Sequence, residues 1–482
     1  MLSDDFIVDL HAHPNLKSFN SGYPKPTKNM WELIEHNTRR NKFAENIDKL
    51  SSKVLKQSQT NLYSLVEGNN RVVNISLYPT EKGFLRIRNV PKWLVGKFKV
   101  EVLQEVITGY AIEKLRYQRD NDDYFDDLEK EYKYVASHVG KSPCKKFEFV
   151  IANNFQELET ALSKQNTIVG ILSIEGAHVF LDFDEDLEKN YSEDQLKALI
   201  SKRVKIVKQW KYPPLTINLS HHFWNHLSGH ATSFKPPINS VVNQNKGKDK
   251  GITALGWHMI RELLSTTNGK RILIDAKHMS VEARKQYYTF LENYNSINGD
   301  HKIPIVYSHS AVNGFKTMDQ SIAKPDKPMK TRFQRFYKWS INNSDEEIRA
   351  IHKSEGLIGI MMDKGNLGGI RTIRLISSIE NSNKLRKEFC KLFLDNIFQI
   401  VKAIGEKSGW DVIALGSDFD GSITHIDPYE SSAKLPMLEN DLVEYLEKYD
   451  YYKQLWYGYT PKQLMRKVMK DNAIQFYKKF FV

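Results

Sequence analysis

The chain has 482 residues, 40% hydrophobic and 11% aromatic, which suffices for a large core and argues against a disordered chain. Its formal charge of +12 (70 Lys and Arg against 58 Asp and Glu) is spread along the chain without an Arg-rich tail, so nucleic acid is not an expected partner. Cys144 and Cys390 have neither disulfide-framework nor metal-type spacing; no apolar run reaches membrane-spanning length, and the acidic MLSDDFIVDL start lacks a signal peptide's basic residues, so the expected location is cytoplasmic.

In chain order, Val/Ile/Leu-rich runs predict strands at FIVDLH (6–11), RVVNISLY (71–78), TIVGILSIE (167–175) and PLTINLSH (214–221). Four more follow at RILIDAKH (271–278), PIVYSHS (304–310), LIGIMM (357–362) and DVIALGSD (411–418). Helical patterns such as LKALISKRVKIVKQ and GWHMIRELLSTT separate them, and Ser344 with Glu347 forms a capping box that starts another helix. Near-continuous apolar strands suit a parallel sheet buried on both faces. Eight of them predict an α/β protein with a closed (β/α)8 TIM-type barrel, as one domain over 1–482. Residues 80–148 fit the alternation least and are expected to be a helical elaboration of the second βα connection. KTMDQSIAKPDKPMKTRFQRFYKW (316–339) is expected to form a lid or irregular loop.

The chemistry lies at the strand ends. The first ends in His11-x-His13, a spacing that puts both imidazoles on one face. The third ends in Glu175, the fourth in His221, the fifth in His278, the sixth in His309 and the eighth in Asp418. In a parallel barrel these ends open on one face, where enzymes of this architecture build their sites. Four imidazoles and one carboxylate can hold two divalent ions if the carboxylate bridges. Glu175 is the natural bridge, with His11 and His13 on one ion and His278 and His309 on the other. Such a pair traps a shared hydroxide, for which Asp418 would move the proton to a leaving amine while His221 stabilises the oxyanion. His222 competes with His221 for that place, because a register slip would exchange them. Asp420 competes with Asp418, although it could instead cap the following turn. His226 and His230 are expected to be loop residues at the mouth, and His178 to lie behind or outside the site. The imidazole-rich set favours zinc, while Mn, Co or Fe would fit the same donors.

VDLHAHP, SIEGAH, LTINLSH, ITALGWHMIRELL, ILIDAKHMS, PIVYSHS and LGSDFDG follow in order the motif series of a known family. The chain resembles the membrane dipeptidase (renal dipeptidase, peptidase M19) family of the amidohydrolase superfamily. SQTNLYSLVEGNNRVV, INNSDEEIRAIHKSEGLIGI and KDNAIQFYKKFF extend the likeness over nearly the whole chain. The resemblance implies a (β/α)8 barrel with a binuclear zinc site that hydrolyses dipeptides, some with a C-terminal D-residue. It also implies Glu175 as bridge, His278 and His309 on one metal, His11 and residue 13 on the other, Asp418 as acid/base and His221 against the substrate. Three positions depart from the pattern. His13 stands where the family usually has Asp, DAKH replaces DLSH, and Ile341-Asn342 stands where an Arg-Asn pair would place a substrate-binding arginine. Arg332, Arg335 and Lys338 are the candidate substitutes.

The expected partner is thus a small dipeptide-like substrate, with a homodimer left open. The alternatives are an amidohydrolase of the same fold acting on another amide, a cyclic amide or an ester, and a metal-binding scaffold without catalysis.

Overall fold

Ten strands form one sheet in the computed structural model, which describes residues 5–34, 58–85, 101, 104–105, 108–182, 187–234, 242–323 and 335–482. They are β1 (Ile7–Ala12), β2 (Asn70–Leu77), β3 (Gly140–Lys141), β4 (Glu148–Ile151) and β5 (Thr167–Ile174). β6 (Thr216–Asn218), β7 (Leu273–Asp275), β8 (Val306–Ser310), β9 (Leu357–Ile360) and β10 (Ile413–Leu415) follow. Eight of these run in the order β1-β2-β5-β6-β7-β8-β9-β10 with parallel pairing throughout, the (β/α)8 barrel expected from the sequence. All residues of β1, β2 and β5 are buried, as strands covered on both faces must be. Crossover helices include Glu193–Lys208, Ala254–Leu264, Val281–Ile297 and Asp345–Lys353. The last begins at the predicted capping box of Ser344 and Glu347. Among the described residues no helix is long and apolar enough to cross a membrane.

The second crossover holds the largest insertion, with helices at Lys82–Leu85, Ile112–Asp120 and Tyr124–Ser137. Residues 86–100, 102–103 and 106–107 of the expected helical elaboration lie outside the described residues. The sequence reading did not anticipate the short hairpin of β3 and β4. β4 runs parallel to the first half of β5, on the edge whose second half pairs with β6. The insertion also reaches the barrel mouth. Glu131, fully buried, accepts hydrogen bonds from Asn15 Nδ2 (2.6 Å) and the Tyr78 N–H (2.8 Å), just beyond β1 and β2.

Closure between β10 and β1 rests on few contacts. Ala12 and Phe419 form a single parallel bridge, while the N–H groups of Asp418 and His13 donate to the carbonyls of His11 (2.8 Å) and Phe419 (3.0 Å). The rest comes from Asp9, whose buried carboxylate accepts from the Ser417 N–H (2.8 Å), the Ser417 hydroxyl (2.5 Å) and the His11 N–H (3.2 Å). Burial pushes the Asp9 carboxyl up to about 6, and the Ser417 hydrogen bonds oppose it. Removing the acceptor takes this partner from two buried N–H groups and leaves the Ser417 hydroxyl only the long contact to the His11 carbonyl (3.4 Å). Asp9→Ala is therefore expected to cost on the order of 2–3 kcal/mol in chemical denaturation, with a native-like circular dichroism spectrum.

Candidate metal centre

The convergence at the barrel mouth begins with backbone geometry. β6 ends at Asn218, β7 at Asp275 and β10 at Leu415, and His221, His278 and Asp418 each lie three residues beyond. His278 (φ 68°) and Asp418 (φ 61°) adopt the left-handed conformation, which costs about 1–3 kcal/mol for a residue other than glycine. Two glycines permit close approach beneath them. A Cβ on Gly359 or Gly416 would lie 1.9 or 1.8 Å from the Ser308 carbonyl oxygen.

All seven residues singled out from the sequence meet around Glu175, which is 3% exposed. The Nε2 atoms of His13 (3.1 Å), His11 (3.4 Å), His278 (3.4 Å), His221 (3.5 Å) and His309 (3.6 Å) all face its carboxylate. Asp418 is 3.8 Å from the Nε2 of both His11 and His13 and 3.9 Å from that of His309. His278 and His309 bring their Nε2 atoms within 3.2 Å of each other. Two nitrogens held 2.0–2.1 Å from one tetrahedral zinc would be about 3.3 Å apart, so these spacings suit donors to shared cations. Among the described residues, the Nε2 atoms of His11 and His13 are buried without a hydrogen-bond partner, as donors to a cation would be.

Among the described residues, three groups have ligand atoms within 4.8 Å of one another: His11, Glu175 and His309; His11, His13 and Asp418; and His221, His222 and His278. His11 thus shares atoms with both predicted halves of the centre.

Electrostatics keeps the donors in the form a cation needs. Burial holds the His11 and His309 imidazoles below their usual range and pulls His278 down to about 3, so these rings are neutral at pH 7. Burial opposes ionisation of Glu175, but His221, His11 and His13 outweigh it and hold the carboxyl well below the usual range. Asp418 is the reverse case. Burial and the neighbouring Glu175 charge push its carboxyl well above the usual range. Burial disfavours a charge on His221, but Glu175 and Glu81 overcome that and raise it to about 10.

Behind the rings sits a set of groups that the sequence reading did not name. Ser308 Oγ lies 3.1 Å from His11 Nδ1 and 2.9 Å from His309 Nδ1. A hydroxyl can accept from both Nδ1–H groups and direct its own hydrogen at Asp275, whose carboxylate also accepts the Ser308 N–H (3.3 Å). That arrangement leaves both Nε2 atoms unprotonated. His13 Nδ1 is likewise turned to the Ser76 carbonyl (3.2 Å). Glu81 accepts from His221 Nδ1 (2.7 Å). Lys277 is 1% exposed and its Nζ has no hydrogen-bond partner. Burial pulls it down to about 8 against the attraction of Asp418 and Asp275. Ser308 adjoins His309 in SHS and Asp275 precedes His278 in DAKH, a proximity that could have flagged them. YPTEKG carries no comparable signal for Glu81.

The competing residues fall elsewhere, except His222, which groups with His221 and His278. Asp420 accepts from Ser58 Oγ (2.9 Å) and the N–H groups of Gln59 (3.0 Å) and Thr60 (3.1 Å), and pairs with Lys17 (2.7 Å), so it clamps a loop. His222 stacks beside His221, ring centroids 3.7 Å apart, with its Nδ1 at Ser233 Oγ (2.6 Å). His226 pairs with Glu188 (2.9 Å), His230 is spent on the carbonyls of Ala231 and Lys246, and His178 reaches the Pro79 carbonyl (2.8 Å). Ile341 is buried in an apolar cluster with Ala231 and Trp339. Arg335 pairs with Asp395, Lys338 lies over the Phe315 ring (4.3 Å), and Arg332 is outside the described residues.

A parallel barrel with imidazoles and carboxylates gathered at its mouth is the architecture of the metal-dependent hydrolases. Residues 314–458 match the family model of the membrane dipeptidases, peptidase family M19, so the chain's resemblance to that family holds beyond its short motifs. Asp418 lies within the matched stretch; the other six gathered residues precede it. No curated protein matches the chain. Among solved structures it is similar to dipeptidase AC, a metallopeptidase of family M19, at 15% identity and a TM-score of 0.50, covering 99% of this chain and 98% of that one. It is similar also to the probable dipeptidase PvdM from Pseudomonas aeruginosa, at 15% identity and a TM-score of 0.50, covering 88% and 89%. Those two likenesses support the fold.

Ser308→Ala removes the group that sets both Nδ1 atoms while leaving every candidate donor in place. Its affinity for Zn²⁺ in chelator competition is expected to fall about 10–100-fold, with little change in the thermal midpoint of the metal-free protein.

Proposed function

We propose that this chain is a metal-dependent hydrolase that cleaves the amide bond of a dipeptide or a similar small substrate. The observation that carries this reading is the set of five imidazole Nε2 atoms 3.1–3.6 Å from one buried carboxylate at a barrel mouth. Glu175 would bridge two divalent ions, with His11 and His13 completing one position and His278 and His309 the other. The imidazole-rich donor set favours zinc. When bound, such ions would supply a hydroxide nucleophile at neutral pH and polarise the scissile carbonyl.

The chain's own groups do the rest. Asp418 faces three of the donor imidazoles and takes the nucleophile's proton, then delivers it to the leaving amine. Burial and the neighbouring Glu175 charge hold its carboxyl above the usual range, which favours taking up a proton. His221 directs Nε2 into the centre and donates to the oxygen on which negative charge develops. Phe84, edge-on to His222, Phe223 and Phe234, offers with them an apolar wall beside the centre for a substrate side chain.

A second reading keeps this chemistry and changes the substrate to a neutral amide or ester. It is favoured by Ile341, whose apolar surroundings offer no charge to a dipeptide carboxylate.

Metal content per chain, paired with hydrolysis of L,L- and L,D-dipeptides, N-acyl amino acids and esters, tests both. Two ions with dipeptide turnover support the first reading, and two ions with turnover of neutral substrates alone support the second. Fewer than one ion after reloading overturns both. Asp418→Asn is expected to keep its metal and lose about 10²–10⁴-fold in kcat, and metal loss in that variant would instead make Asp418 a ligand.

A further inference from the structure

His221 enters the centre through one nitrogen, and what holds the other is Glu81. This carboxylate lies in the turn after β2, is 3% exposed, and has all its contacts at the barrel mouth. Oε2 accepts from His221 Nδ1 (2.7 Å), from the His222 N–H (3.3 Å) and from the Tyr78 hydroxyl (3.3 Å), and Oε1 accepts from the Phe223 N–H (3.0 Å). Burial opposes its ionisation, but His221 holds it down at about 2. An ionised carboxylate only accepts, so Nδ1 of His221 must carry hydrogen. The ring is confined further by Tyr78, edge-on at 4.9 Å, and by His278, edge-on at 4.4 Å. With Nδ1 committed and both sides packed, Nε2 has one direction left, toward Glu175 at 3.5 Å.

We infer that Glu81 is a positioning residue that acts through His221, holding the ring so that Nε2, a donor when the ring carries hydrogen on both nitrogens, points at the place where an amide oxygen gains charge. The inference rests on the hydrolase reading above. A tie made only to order the loop would be satisfied by the N–H groups of His222 and Phe223, yet the shortest contact is to the imidazole. A preset donor is worth more in the transition state than in the bound substrate, because the oxygen accepts more strongly once it is charged. The signature is therefore a fall in kcat with KM little changed.

Glu81→Gln keeps the shape and removes the charge. In the zinc-loaded enzyme, with a dipeptide that the wild type cleaves, Glu81→Gln and His221→Asn are each expected to lower kcat about 10²–10³-fold, with KM within about threefold. Both should keep wild-type metal content and bind a phosphinate dipeptide analogue correspondingly more weakly. The double variant should be no slower than His221→Asn alone, because the second change acts only through the first. Additive losses in the double variant, a kcat for Glu81→Gln near wild type, or lost metal would overturn the assignment. A second measurement is independent of turnover. In ¹⁵N-histidine-labelled protein, the His221 Nδ1–H resonance should be present in the wild type and lost or shifted in Glu81→Gln. If the wild type cleaves no dipeptide, amide or ester, the hydrolase reading has failed, and this resonance still decides whether Glu81 holds His221. An unchanged resonance would refute the pairing itself.

Discussion

The structure of the barrel mouth depends on one anion. Glu175 is a carboxylate removed from water, and such a group is tolerated only where positive charge and hydrogen-bond donors surround it. Here the surroundings are five imidazoles, of which His221 bears charge while burial keeps His11, His278 and His309 neutral. The crowding of Nε2 atoms that bear no hydrogen around one carboxylate is unfavourable in itself. It is sustained from outside by Ser308, Asp275 and the Ser76 carbonyl, each fixing the far side of a ring. The left-handed backbone at His278 and Asp418 belongs to the same compromise, in which local conformational energy is given up to aim side chains inward.

Much of this was readable from sequence because a barrel turns a one-dimensional pattern into a ring. Each parallel strand announces itself as an unbroken apolar run, and the polar residue that ends it is delivered to a common face. All eight expected barrel strands are present, and the residues at their ends are the ones that meet. The extents were read too long at PLTINLSH, RILIDAKH and DVIALGSD, since ladder pairing stops before the chain bends to present His221, His278 and Asp418. The hairpin of β3 and β4 was missed because Gly140–Lys141 is short and polar, and Glu148–Ile151 interrupts a stretch that otherwise looks helical. Glu81 was illegible for a different reason. The histidine it binds lies 140 residues away, and nothing local distinguishes a glutamate that will be buried from one that will be solvated.

The departures from the family pattern fall in two different layers. His13 lies in the ring around Glu175, where it makes the shortest contact to that carboxylate. Ile341 packs with Ala231 and Trp339, and Asn342 beside it ties Tyr337 and Asn366 through its amide. One departure thus touches the candidate centre and the other packs outside it, and a shared architecture leaves room for such differences in the site it carries.

The seam between β10 and β1 sets an order of events during synthesis. β1 leaves the ribosome first, carrying His11 and His13, yet its partner on one side is the last strand of the barrel. Until Ser417 and Asp418 have been made, Asp9 lacks the serine that it binds and one edge of β1 stays open. A nascent chain in that condition exposes an apolar strand edge, which invites pairing with other chains. The first and last strands of the barrel therefore complete the barrel and the centre together, and a chain stopped short of β10 would have neither.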